Sequence, residues 1–431
     1  MPDKIAVIGA GITGLTAAYC LAKKGHDVSV FEAAEYSGGI AVSHIINGVG
    51  IEDIYHHIFT SDEYLLQLSE ELGLINEIEW IEPSDGFYSD SVLYPFTSPM
   101  DLLKFKPLPF LSRVLMGLLV LRSRYVKNYN NLENMSAGEW ISKMAGRKVY
   151  EKVWKPLLKA KFDTDADNVA AVWIWNKFKL RGSTRGKNIS KELLGYMRGS
   201  FGVLTKKLGE RLNDCGGKLL VNAAVSKIEK NSDVFKIFYK NESGEFDKVL
   251  FTAAPQLLLS VFDKFNGDYA KKLSSIKYKA NICMLIQIKK PLSKYYWTTV
   301  ASENIPFVAV IEHTNIQPKN LYGTCIVYLT RYIEAADALF SADDEDIKKS
   351  FFKGLAKIYP QFSVGDVTGV SILRSRFSQP VITKGYSKII PEYITPVDGL
   401  FLACMAQIYP EDRGMNYAVR EGKKIADIMS Q

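Results

Sequence analysis

The residues best suited to chemistry lie close to the N-terminus. Gly9-Ala10-Gly11-Ile12-Thr13-Gly14 follows an apolar run at residues 4–8 and opens a helical stretch, 15–24, that Gly25 ends. In that setting the three glycines serve a tight turn, close approach of backbone to a pyrophosphate, and close packing of helix on strand. The helix start adds unpaired N–H groups and a positive partial charge that suit phosphates. Glu32 ends the next strand-like run, 27–32, placed to accept hydrogen bonds from ribose hydroxyls. An acid there disfavours a 2′-phosphate, so the expected ligand is an adenine dinucleotide other than NADP.

The continuation, Glu32-Ala33-Ala34-Glu35-Tyr36-Ser37-Gly38-Gly39, places a glycine pair soon after the acid, where backbone can approach an extended cofactor a second time. Here the sequence resembles the flavin amine oxidase, protoporphyrinogen oxidase and phytoene desaturase superfamily, with Ile40 where that family usually has arginine. The resemblance continues through residues 199–202 to Val225, through Thr252-Ala253-Ala254-Pro255, and through 402–405 and 410–422. It implies FAD, held by Gly9, Gly11, Ile12, Thr13, Gly14, Glu32, Ala33, Gly38, Gly39, Val225 and Ala253 on the dinucleotide side. Asp412, Gly414 and Met415 would meet the isoalloxazine, their loop supplying N–H groups.

For catalysis the notable pair is His56-His57, two of only five histidines. In an extended segment they point to opposite faces, so they do not chelate one metal, and no third ligand stands at suitable spacing; no metal is expected. We expect His57 to face the flavin, as acid, base or orienting group, and His56 to make a structural hydrogen bond. His57-Ile58-Phe59 and the strand 306–314 are also similar to short stretches of UDP-galactopyranose mutase. Trp175, Arg181 and Arg185, with Trp173, could then stack a base and neutralise a diphosphate, or could be buried indoles with solvated basic ends. Arg413 is a further candidate for an anionic substrate, and Arg374 and Arg376 share one strand face.

The elements that must position these groups alternate strand, turn and helix at both ends of the chain, which predicts a parallel sheet. Thr60 to Glu63 and Ser136 to Glu139 read as capping boxes. Residues 100–195 read as a helical insertion, and 280–332 as strands of a second sheet. The fold class expected is α/β: a Rossmann-like FAD-binding domain from three segments (1–75, 196–260 and 385–431). A second, α+β substrate domain of antiparallel sheet plus helices takes 76–195 and 261–384.

With 431 residues, 47% hydrophobic and 23% charged, the composition is that of a folded globular protein. A net charge of +7, spread along the chain, suits an anionic small molecule; no basic run with stacking aromatics suggests nucleic acid. Five cysteines without metal or redox spacing read as buried thiols, and the strand-like start reads as a chain without a signal core, both fitting a reducing cytoplasm. The apolar stretch within 108–121 is too short to span a bilayer and reads first as a buried helix, with peripheral membrane contact or the wall of a channel as alternatives. The expected function is FAD-dependent oxidation or desaturation, with hydride transfer to flavin N5. The alternatives are a redox-neutral nucleotide-sugar mutase and a flavin-binding protein without chemistry.

Overall fold

The computed structural model describes residues 2–183 and 193–431, and side chains except those of 180–192. Its organising element is a five-stranded parallel sheet in the order Lys218–Leu220, Asp27–Phe31, Lys4–Ile8, Lys248–Phe251, Leu400–Leu402. The strands come from distant parts of the sequence, so the chain leaves this sheet and returns to it three times, at residues 218, 248 and 400.

Period-two alternation sorts the sheet's residues into two cores. Ile5, Val7, Val28, Val30 and Leu250 face helices Ile12–Lys23, Gly202–Asp214 and Met415–Met429. Ala6, Ile8, Phe31, Val249 and Leu400 face Phe235, Ile237 and Phe246 of an antiparallel meander, 225–246. Both faces are covered, which is why these strands are almost continuously apolar.

A second sheet has seven strands in the order Val367–Pro380, Tyr278–Ile288, Cys325–Ile333, Ala309–Glu312, Trp297–Val300, Asp85–Ser89, Val92–Pro95. All its pairings are antiparallel except that of Asp85–Ser89 with Trp297–Val300. One face packs Ile282, Met284 and Leu329 on helix Asp344–Ile358, while Cys283, Leu285 and Tyr328 turn toward the first unit. Helices between residues 99 and 183 gather around Trp140, Phe162, Trp173 and Trp175 as a separate core.

The capping box at Ser136 and Glu139 is present. The one expected at Thr60 is not: helix Glu63–Glu71 starts after Asp62, whose carboxylate turns back to accept the Phe59 N–H. The local motif lost to an acid that could satisfy the preceding turn.

One buried carboxylate joins the hairpin after the glycine pair to the helix layer. Glu52 accepts hydrogen bonds from the Phe201 N–H at 2.5 Å and the Tyr196 hydroxyl at 2.8 Å, at the start of helix Gly202–Asp214. Burial, opposed by these two donors, pushes its carboxyl up to about 7 from 4.5. The folded state therefore holds this proton more tightly than the unfolded chain, and its share of stability falls as pH rises from 4.5 to about 7. The expected loss is on the order of 3 kcal/mol. Glu52→Gln removes it. Thermal melts at pH 5 and pH 8 should show the variant gaining a few degrees on the parent at the higher pH, whereas parallel profiles would contradict the assignment.

Candidate functional site

A cavity of about 600 Å³ opens at the carboxyl ends of the parallel strands, lined by Ile8 and Gly9, Phe31 and Glu32, and Phe251 and Thr252. Open α/β sheets place ligands at that edge, because the turns to the following helices present unpaired backbone there. Two long helices start at the cavity wall. Ile12–Lys23 has Gly11 as N-cap, Met415–Met429 has Gly414, and neither has a side-chain cap. Each start leaves backbone donors that a bound anion or polar ring can satisfy.

The glycines divide by function according to their surroundings. A Cβ on Gly14 would stand 2.0 Å from the Gly9 carbonyl oxygen, and one on Gly9, at φ +106°, 2.6 Å from the Thr252 hydroxyl. Packing alone requires both. A Cβ on Gly11 would meet nothing nearer than Gly39 Cα at 3.9 Å. Gly11 is thus unconstrained by the protein itself and is bare only toward the cavity. Gly38, at φ +132°, bridges to Gly11, which brings the second glycine turn against the first.

The Glu32 carboxylate accepts hydrogen bonds from the N–H of Ala10 at 2.8 Å and of Ala34 at 2.9 Å, which fixes its orientation at the cavity wall. Ala33, Val225, Ala253 and Met415 line the same cavity. Thr252, which no sequence pattern singles out from its neighbours, lies 2.9 and 3.0 Å by its hydroxyl from the carbonyls of Ile8 and Gly9 and clamps the glycine turn.

Asp412 is the exception among the expected cofactor residues. It is buried, does not line the cavity, and accepts from the Trp173 indole N–H and the Gln379 amide, each at 3.0 Å. Lys177 at 2.5 Å and Lys161 at 3.3 Å reach its other oxygen. Burial would raise this carboxyl, but Lys161, Lys177 and Arg413 together outweigh that effect and hold it well below the usual range. Asp412 is the anchor of a polar cluster that fastens the loop before helix Met415–Met429 to the helical unit.

Its neighbour Arg413 does line the cavity. The guanidinium donates to Gln379 Oε1 and to the Tyr332 hydroxyl, both at 3.0 Å, and both are neutral acceptors.

The two histidines lie on opposite faces, but in the reverse of the expected assignment. His56 lines the cavity. His57 places Nδ1 3.0 Å from the Tyr296 hydroxyl and packs edge-on against Phe59 and Tyr296. Alternation alone could not say which of the pair faced inward. His56 Nδ1 stands 2.6 Å from the Ile54 carbonyl, an acceptor, so Nδ1 carries the proton and Nε2 keeps its lone pair. Burial, and then Arg413, lower His56 to about 4, so it is neutral at physiological pH.

The substrate residues expected in the insertion separate. Trp175 is in the helical core, stacked on Tyr129 with its N–H donated to the Ser123 carbonyl, and does not line the cavity. Its buried apolar surface won over stacking on a base. The side chain of Arg181 and all of Arg185 lie outside the described residues. On the strand Val367–Pro380, Ser375 and Phe377 face the cavity, while Arg374 pairs with Asp344 at 2.7 Å. Glu312, the acid of the mutase-like stretch, closes a loop by accepting from the N–H groups of Leu292 and Ser293. No group of histidine, cysteine and acid side chains that could hold a metal occurs among the described residues.

The geometry separates cofactor retention from folding. Gly11→Ala should melt within a few degrees of the cofactor-free parent yet purify without its cofactor, read as absorbance in the flavin bands. Gly14→Ala should lose stability as well. A fully loaded Gly11→Ala protein would remove the turn from the binding site.

Comparison with known proteins identifies the family. The model for flavin-containing amine oxidoreductases matches residues 12–430. Coproporphyrinogen III oxidase of Staphylococcus aureus is 25% identical over 64% of this chain and 66% of its own length. A 15-cis-phytoene desaturase of Glycine max is 23% identical over all of this chain and 80% of its own. Among solved structures, putrescine oxidase bound to putrescine superposes with a TM-score of 0.76 at 17% identity, covering both chains entirely, which shows the shared fold. With the match running nearly end to end, the chain belongs to the flavin-containing amine oxidoreductases and is a flavin-dependent oxidoreductase.

Proposed function

We propose that the cavity holds FAD and that the protein dehydrogenates a small, largely apolar molecule carrying an anionic group. The observation that carries the cofactor is the pairing of an uncapped helix start at Gly11 with the oriented carboxylate of Glu32, one suited to a pyrophosphate and the other to a ribose. The second uncapped start, at Gly414, suits the far end of an extended dinucleotide. When bound, FAD supplies a two-electron acceptor for a hydride leaving the substrate.

The protein's own groups orient and select. His56 offers a neutral Nε2 acceptor beside Arg413, suited to a donor on the substrate or cofactor. Arg413 faces the cavity with neutral hydrogen-bond acceptors, and Lys161 and Lys177 already neutralise the adjacent Asp412, so its charge favours a carboxylate or phosphate. Tyr278, Phe377 and Ile408 give the remaining wall an apolar character. A nucleotide-sugar mutase gains no comparable support, since Trp175 and Glu312 are engaged in the packing of their own elements.

Under anaerobic conditions, a panel of porphyrinogens, polyenes, unsaturated acids and amines should contain a compound that bleaches the bound flavin in a single turnover. Turnover without net oxidation, and only after prereduction, would favour a mutase. Arg413→Gln should raise KM for an acidic substrate about tenfold or more, while leaving the corresponding ester little changed. Equal effects on acid and ester would argue against an anion at this residue.

A further inference from the structure

We propose that the helix Phe110–Ser123 and the turn before it form a surface that rests on an anionic lipid bilayer. Of the eighteen large hydrophobic side chains exposed among the described residues, seven fall between positions 100 and 125. Phe110 and Leu111 are 68% and 69% exposed, and Tyr125, just past the helix, 82%. A hydrophobic concentration of this kind on a surface marks an interaction site.

The helix is amphipathic in an unusual sense, with two apolar faces. At 3.6 residues per turn, positions 110, 111, 114, 118 and 121 fall within an arc of about 100°. Met116, Leu119 and Ser123 lie on the opposite side, buried against the helical core. The inner face therefore fixes the element, and the outer face leaves Phe110, Leu111, Leu118 and Leu121 exposed.

Charge identifies the occupant. By the same geometry Arg122, which is exposed, falls on one flank of the outer stripe, and Arg113, donating to the Leu103 and Leu108 carbonyls, on the other. Lys104, Lys106 and Lys127 add to them, and the only acid between positions 100 and 127 is Asp101. That carboxylate is engaged in capping its own short helix, accepting from Ser98 and Thr97. An apolar stripe flanked by cations suits the boundary between acyl chains and anionic headgroups. A second copy of the chain would instead set like charges face to face, as a two-fold contact pairs a patch with itself. At 1.5 Å per residue the helix is about 21 Å long, shorter than a bilayer core of about 30 Å, so it lies along the surface. No described helix is long and apolar enough to cross a membrane.

The test uses the flavin-loaded protein and vesicles of phosphatidylcholine alone or mixed with phosphatidylglycerol. The protein should sediment with the mixed vesicles and much less with the neutral ones. Leu111→Ser/Leu121→Ser should weaken partitioning about tenfold or more, and Arg122→Glu/Lys127→Glu should abolish the preference for anionic lipid, with flavin content and melting temperature unchanged in both. The proposal is overturned if the parent stays in the supernatant with both vesicle types, or if the variants sediment like the parent. It is equally overturned if light scattering finds a dimer that these substitutions dissociate.

Discussion

The structure depends on unpaired backbone donors converging at one edge of a parallel sheet. Helices at Gly11 and Gly414 begin without side-chain caps, and both begin at the same cavity. A bare helix start leaves its first N–H groups for another acceptor, so two bare starts at one cavity offer donors to a ligand with matching acceptors. Bare Gly11, oriented Glu32 and the glycine pair that bridges back at Gly38 are consistent with such a ligand.

Around this edge the chain is built to bring distant segments together. The central strand Lys4–Ile8 pairs with strands from residues 27 and 248 onward, and the sheet is completed from residue 400, close to the loop bearing Arg413. Asp412 ties that loop to Trp173, Lys161 and Lys177 of the helical unit, while Arg413 ties it to Gln379 and Tyr332 of the larger sheet. Two adjacent residues thus connect the cavity edge to both other units of the molecule.

Much of this was legible in the sequence where a local pattern carries its own physics. The glycine turn, the acid at the strand end and the helix that follows each announce themselves by spacing, and the structure brings Gly9, Gly11, Gly14, Glu32, Gly38 and Gly39 to one cavity. Residues whose role depends on orientation were harder. His56 and His57 have the same chemistry, and their partners, the Ile54 carbonyl for one and Tyr296 and Phe59 for the other, distinguish them only in the fold. Asp412 sits within the right loop but points away, because two lysines and an indole compete for its oxygens. Trp175 illustrates the same limit: a tryptophan among basic residues reads alike as a stacking platform or a core residue until its neighbours are known.

The central claim is that an adenine dinucleotide, carrying its isoalloxazine at the far end, lies with its phosphates at the helix starting after Gly11. The direct measurement is to release the chromophore from purified protein by denaturation and identify it by chromatography and mass. The account predicts FAD, at about one molecule per chain. Release of FMN alone, or a protein that stays colourless after incubation with excess FAD, would contradict it.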